Sequence, residues 1–278
     1  MRSPSKAALL RWIRANWEDI RSYAVSRGAT RCGLATFPQV RAELLGESLK
    51  VWKGEAEGYK TAILYLSPSL ESGRNTCAWA SAGCSAACLV GSGQLSMQEN
   101  ARLWKTALYW GCREAFEDLL GFELASLEAA SVRAGMVPCA RLDGTSDLGL
   151  ARKFSRVFPG IRFYDYTKSP KRALKAINSE ASVTFSYSGH NGKDARKVLK
   201  AGGTVAVAFN ALPAIKGRRE ADTLPSSWRG FPVIDGDETD LRFTDPKGVV
   251  VGLRFKASAD RGKRLKLAGR FVQACRNS

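Results

Sequence analysis

The sequence predicts an α/β protein, a full or partial (β/α) TIM-like barrel with an N-terminal helical extension. Three observations lead there. From Lys60 onward, short β-branched or aromatic runs alternate with helical stretches, the rhythm of parallel strands joined by crossovers. Polar residues gather just after the predicted strands, where barrel enzymes build their sites. Neither a GxGxxG nor a Walker A sequence follows any of these strands, so a nucleotide-binding doubly wound sheet has no positive sign.

Residues 5–26 read as one helix, with Leu9, Leu10, Ile13, Trp17 and Ile20 on a single face and Gly28 as the stop. Residues 29–59 carry no clear pattern, so residues 1–59 are taken as the extension and 60–278 as the barrel-like domain. Strands are expected at Thr61–Ser67, Val137–Leu142, Ile161–Thr167, Ser182–Ser186, Gly203–Phe209, Phe231–Ile234 and Val249–Phe255. Helices are expected at Gln98–Arg133, Leu148–Phe158, Pro170–Asn178 and Lys193–Lys200. The segment 256–278 reads as a basic tail whose second half forms a helix with Leu265, Leu267, Phe271 and Val272 inward.

At 278 residues and 45% hydrophobic content, the chain can bury a core without disulfide staples. Its seven cysteines are an odd number, and Cys32, Cys112, Cys139 and Cys275 stand alone in apolar or helical surroundings. No apolar run of about 18 residues is present, and Arg11, Arg14 and Asn16 interrupt the N-terminus. No membrane partner and a cytoplasmic location are therefore expected, while the oligomeric state has no sequence signal.

Lys and Arg outnumber Asp and Glu by 43 to 26, a formal charge of +17. Such a field attracts polyanions, and nucleic acid is the expected partner. The charge is clustered: Lys168, Lys171, Arg172 and Lys175; Lys193, Arg196, Lys197 and Lys200; Lys216, Arg218 and Arg219; then Lys256 to Arg270. A basic surface that only keeps the protein soluble is the competing reading.

Cys77, Cys84 and Cys88 fall within twelve residues, spaced C-x6-C-x3-C in a glycine- and serine-rich loop after the first predicted strand. Zinc ribbons need paired C-x2-C knuckles, which this loop lacks. Three thiolates with an open fourth position suit a [4Fe-4S] cluster whose unique iron binds substrate or S-adenosylmethionine. The position is similar to that of the cluster loop in radical S-adenosylmethionine enzymes, although their C-x3-C-x2-C spacing is absent. Structural thiols are the alternative.

The remaining candidates lie after other strands. Asp143 and Asp147 follow one and Asp235 another, and carboxylates facing each other across a barrel mouth suit acid–base work or Mg²⁺. Ser146 and Asn191 are expected to contact cofactor. Lys168 sits at a helix start beside Ser169 and Pro170, where phosphate binds well, and His190 is the sole histidine. Solvated turns and helix caps are the plainer roles for these residue types. Tyr166 and Tyr187 near strand ends suit base stacking.

The succession NTCAWASAGCSAACL, ARLWKTALYW, RLDGTSDL, FYDYTKS, TFSYS, VAVAF and VIDGDETDLRFTDPKGVVVGLRFK, over about residues 60–262, resembles a family of phage- and plasmid-borne proteins related to the phage gene product 88 group. The resemblance implies a mobile-element origin and a setting of DNA metabolism, without naming a reaction. Three functions follow as expectations: an iron–sulfur, radical S-adenosylmethionine-like enzyme acting on nucleic acid or nucleotide; a DNA- or RNA-binding replication accessory protein; or a metal-independent base-modifying transferase or glycosidase using Asp143 and Asp235.

Overall fold

The computed structural model describes residues 5–46, 54–91, 93–179, 181–214, 220–256 and 260–275. Lys216, Arg218 and Arg219 lie outside the described residues. In chain order the helices are α1 (Lys6–Ala15), α2 (Trp17–Ser26), α3 (Ala82–Ala86), α4 (Glu99–Gly111), α5 (Arg113–Arg133), α6 (Ala151–Phe154), α7 (Pro170–Ala176), α8 (Gly192–Lys200) and α9 (Arg261–Ala268). The strands are β1 (Leu45–Gly46), β2 (Tyr59–Leu64), β3 (Val137–Arg141), β4 (Arg162–Thr167), β5 (Ser182–Ser186), β6 (Val205–Phe209), β7 (Ser227–Trp228), β8 (Phe231–Asp235), β9 (Val250–Arg254) and β10 (Val272–Gln273). The protein is a mixed α/β fold in two units, Met1–Ala78 with Met97–Phe163, and Trp79–Ser96 with Tyr164–Ser278. Among the described residues no helix is long and apolar enough to cross a membrane.

In the first unit β2 and β3 pair in parallel from Tyr59↔Val137 to Ile63↔Arg141, β3 continues onto the start of β4, and β1 closes the edge antiparallel to β2. β2 buries Thr61, Ala62, Ile63 and Leu64, and β3 buries Pro138, Cys139 and Ala140. The N-terminal helices pack within this unit: Trp17 packs on Phe37 at 5.1 Å, and Phe37 meets the Trp104 ring of α4 edge-on at 5.5 Å. The single helix expected over 5–26 is broken at Asn16, whose amide nitrogen turns back to donate to the Trp12 carbonyl at 2.8 Å. The long helix expected over 98–133 is broken at Cys112, where the backbone is extended at φ −147° and ψ 89°.

Gly111, just before that break, is where α4 meets α2. A Cβ there would stand 2.1 Å from the Ile20 carbonyl oxygen, so the close approach of the two helices depends on a missing side chain.

In the second unit the strand order is β4-β5-β6-β9-β8-β7, parallel except for the β7–β8 ribbon, with β10 also parallel to β6. A ring of consecutive βα units keeps chain neighbours adjacent, whereas here β9 inserts between β6 and β8. Phe185, Val205, Val207, Phe209 and Val250 fill the space beneath α7 and α8, meeting Ala173, Ala195, Val198 and Leu199 from those helices. Ala87, Phe255 and Ala268 form a smaller cluster with Leu265, Phe271 and Val272 against it. Leu267 does not join them: at 58% exposure it faces away, because the turn that buries Leu265 and Ala268 places it on the opposite side of α9.

Helix α6 is four residues long, shorter than the expected Leu148–Phe158. Gly149 has φ +77°, and the amides of residues 148–150 are drawn to Asp143, so no helix starts before Ala151. In the second unit a buried pair follows β8: Arg242 lies 3.4 Å from Asp245. Burial pushes the Asp245 carboxyl up to about 6 from the ordinary 3.8, the Arg242 charge opposing this and Asp240 adding to it.

Gly111→Ala is expected to cost about 1–3 kcal/mol by forcing α2 and α4 apart. Gly121→Ala, in α5 with nothing within 4 Å of the added carbon, is expected to stabilise by about 0.5–1 kcal/mol; urea midpoints of the two variants measure both. Because Asp245 holds its proton more tightly folded than unfolded, its contribution is complete below pH 3.8 and lost as the pH rises through about 6. The stability of Asp245→Asn relative to the unsubstituted protein is expected to rise across that window, and melting temperatures from pH 3.5 to 7 check it.

Candidate functional site

Two loops at the ends of β2 and β3 are stitched together in the first unit. The Gly144 amide donates to the Leu64 carbonyl at 3.0 Å, the Thr145 hydroxyl donates to the Leu66 carbonyl, and the Asp147 amide donates to the Thr76 carbonyl at 2.9 Å. Gly144 is required there, since a Cβ would lie 2.7 Å from the Ile63 side chain and 2.8 Å from the Leu64 oxygen. The Cys77 thiol joins the same seam, donating to the Thr145 carbonyl at 3.6 Å. The sequence-predicted Cys77 and the Asp143–Asp147 loop are thus brought together.

Asp143 organises that loop. It is 2% exposed, and its Oδ1 accepts from the Ser146 hydroxyl at 2.7 Å and the Leu148 amide at 2.9 Å. Its Oδ2 accepts from the Gly149 amide at 2.7 Å and the Leu150 amide at 3.4 Å. Four hydrogen bonds meet the cost of taking this carboxylate out of water and occupy both of its oxygens. Asp143 and Ser146, the expected catalytic and cofactor-contacting residues, thus lie in one hydrogen-bonded loop, while Asp147 is half-buried and its backbone amide is fixed.

Cys84 and Cys88 belong to the second unit, on and just after α3, and both are half-buried. The Ser81 hydroxyl caps α3 by accepting from the Cys84 amide at 3.1 Å, and Gly83 lets the helix approach α9, where a Cβ would stand 2.3 Å from the Ala268 oxygen. Arg264 of α9 donates to the carbonyls of Cys88 at 2.6 Å and Gly91 at 2.8 Å. Thiols are the right donors for an iron–sulfur cluster. Among the described residues, however, no group of three or more His, Cys, Asp or Glu is gathered to hold a metal ion. Cys32 and Cys139 behave as inert core thiols, their pKa pushed up to about 12 by burial, whereas Cys275 is exposed rather than buried.

The other predicted site residues of the second unit are mostly tied down. Asn191 Oδ1 accepts from the Ser188 amide at 2.8 Å and its amide group donates to the Ser186 carbonyl at 3.0 Å, so it clamps the turn into α8. His190 projects from that turn, exposed, and Lys168 is half-buried before α7. Asp235 pairs with Arg254 at 2.7 Å through both carboxylate oxygens, and Asp237 holds the Arg254 amide and the Lys256 ammonium. Burial works against the Arg254 charge, but the hydrogen bonds and charges of Asp235 and Asp237 outweigh it and raise its pKa. Both Asp235 oxygens are thereby engaged within the fold.

The basic clusters assemble where the acidic ones do not. On α8, Lys193, Arg196, Lys197 and Lys200 recur at i, i+3, i+4 and i+7 and are all exposed, while Ala195, Val198 and Leu199 on the other side enter the core. Helix α7 packs beside α8 and adds exposed Lys171 and Lys175 with half-buried Arg172. Asp194 is the only acid on the two helices. Tyr187, expected near a stacking surface, is instead buried against Trp228 at 5.0 Å, and Arg229 lies over both rings.

One feature had no signal in the sequence. In the first unit Arg74 lies 3.8 Å over the Trp110 ring and Arg113 lies 3.3 Å over that of Tyr109. These residues come from a connecting loop and from the middle of what reads as one long helix, so no spacing marks them.

A family profile described as gene product 88 matches residues 41–268. Neither a curated protein nor a solved structure matches the chain. The match spans well over half of the sequence, from the β1 edge to the end of α9, and takes in the cysteine loop, the Asp143 loop and both basic helices. The chain belongs to the gene product 88 family.

Proposed function

We propose that this chain is a nucleic-acid-binding protein whose contact surface is the paired basic face of α7 and α8, acting in the cytoplasm of a host cell. One observation carries the reading: seven Lys and Arg side chains stand on two adjacent helices with a single acid among them. The β4-α7-β5-α8-β6 succession belongs, in this reading, to a partial (β/α) barrel. Helix α8 is anchored by its apolar side, so its cations are presented without having to order a loop, and a fixed row of cations suits a regularly charged backbone. An aspartate-based transferase or glycosidase is set aside, because Asp143 and Asp235 are each engaged by internal partners.

Such binding is dominated by counterion release. Exchanging Lys193, Arg196, Lys197 and Lys200 together for Gln is expected to lower the slope of log K against log salt by about 0.9 for each duplex phosphate no longer neutralised, or about 0.7 on single strands. Asp143→Asn is expected to leave that slope unchanged. Fluorescence anisotropy with labelled oligonucleotides from 50 to 300 mM salt measures both. Salt-independent binding, or equal slopes for the four-site variant and the unsubstituted protein, rules the reading out.

A second reading rests on the cysteines: we propose an iron–sulfur, S-adenosylmethionine-using enzyme in which Cys84 and Cys88, one turn apart and half-buried, act as thiolate ligands. A bound cluster would supply one-electron chemistry. Anaerobic reconstitution is then expected to give brown protein with absorbance near 400 nm, lost in the double variant Cys84→Ala/Cys88→Ala. Colourless, iron-free protein after that treatment excludes it.

A further inference from the structure

The first unit carries a cavity of about 230 Å³ between the end of α2, the loop after β2 and the α4–α5 junction. Three guanidinium groups line it, from Arg27, Arg74 and Arg113, together with the rings of Tyr23, Tyr109 and Trp110. No carboxylate is among the lining residues. None of the three arginines has an ion-pair partner among the described residues. The carboxylates whose charge reaches Tyr109 are committed elsewhere: Asp143 to its own loop and Glu117 to Lys153.

The aromatic rings hold the cations in place. Arg113 lies 3.3 Å over Tyr109 and 5.8 Å from Trp110, Arg74 lies 3.8 Å over Trp110, and Arg27 lies 6.0 Å from Tyr23. Tyr109 and Trp110 themselves meet edge to face at 4.7 Å, and Tyr109 is pinned from behind by Phe116 at 5.1 Å. A guanidinium stacked on a ring keeps the donors at its edge, and a carboxylate-free group of three such forks matches the oxygens of a phosphate. One further feature favours an anion. Arg113 opens the 21-residue α5, whose preceding Cys112 supplies no side-chain cap, leaving the positive end of that helix at the cavity wall.

The cavity is smaller than the roughly 300 Å³ at which pockets for whole drug-sized ligands begin. It suits a charged terminal group with part of what bears it, not a length of polymer. We propose that this pocket binds a phosphate monoester, presented either by a free nucleoside monophosphate or by the terminal phosphate of a nucleic-acid strand. The site is separate from the α7–α8 surface and stands or falls without it.

Titration of the full chain with inorganic phosphate, with a nucleoside monophosphate, and with one oligonucleotide carrying or lacking a 5′-phosphate tests the assignment. Binding is read by calorimetry and by the emission change of Trp110, identified by its loss in Trp110→Phe. Phosphate monoesters are expected to bind, and the double variant Arg74→Gln/Arg113→Gln is expected to weaken them at least about 10-fold while melting as the unsubstituted protein does. The conservative Arg113→Lys, which keeps the charge but not the fork, is expected to fall between. Tighter binding of the monophosphate than of the 5′-phosphorylated strand identifies a free nucleotide as the source; the reverse identifies a strand end. Failure of every phosphate to bind at millimolar concentration overturns the proposal, as does equal binding by the double variant. Equal affinity for both oligonucleotides, uncompeted by monophosphate, overturns it even where the basic helices bind the strand normally.

Discussion

A carboxylate taken out of water must be met by donors, and in the first unit this requirement shapes everything around the ends of β2 and β3. Asp143 collects the Ser146 hydroxyl and the amides of residues 148–150. Doing so bends the chain through Gly149 and delays α6 to Ala151. It also holds Gly144, Thr145 and Asp147 where they meet the preceding loop, and through Thr145 it settles the place of the Cys77 thiol. The loop is therefore built around Asp143.

The second unit treats charge differently. Its acidic residues after β8 are spent within the fold: Asp235 and Asp237 on Arg254 and Lys256, and Asp245 on Arg242. With those acids engaged internally, α7 and α8 present cations to solvent almost undiluted. The Arg74 and Arg113 cavity uses positive charge in another way. Flexible lysines on a helix face suit a repeating backbone charge, whereas guanidinium groups held on aromatic rings suit one localised oxyanion.

Much of the element order was legible because it rests on local pattern. The seven expected strands correspond to β2, β3, β4, β5, β6, β8 and β9, each a run of β-branched, small or aromatic residues wide enough to read. Helix α8 was visible from the i, i+3, i+4, i+7 spacing that separates its cations from Ala195, Val198 and Leu199. The two-residue strands β1, β7 and β10 left no pattern, since two residues cannot display a period. The breaks at Asn16 and Cys112 were also hidden, because both residues are tolerated in a helix and only packing against neighbours shows where the axis turns.

By itself the sequence determined the α/β character, the positions of the principal strands, the excess of positive charge and membership of the gene product 88 family. These follow from side-chain period and composition, which any chain segment carries alone. Only the tertiary structure decided the β6-β9-β8 order, the structural use of Asp143, Asn191 and Asp235, and the meeting of Arg27, Arg74 and Arg113 around one cavity. Whether a polar group is spent on the fold or left for a ligand depends on which donors and acceptors surround it, and those neighbours come from distant parts of the chain.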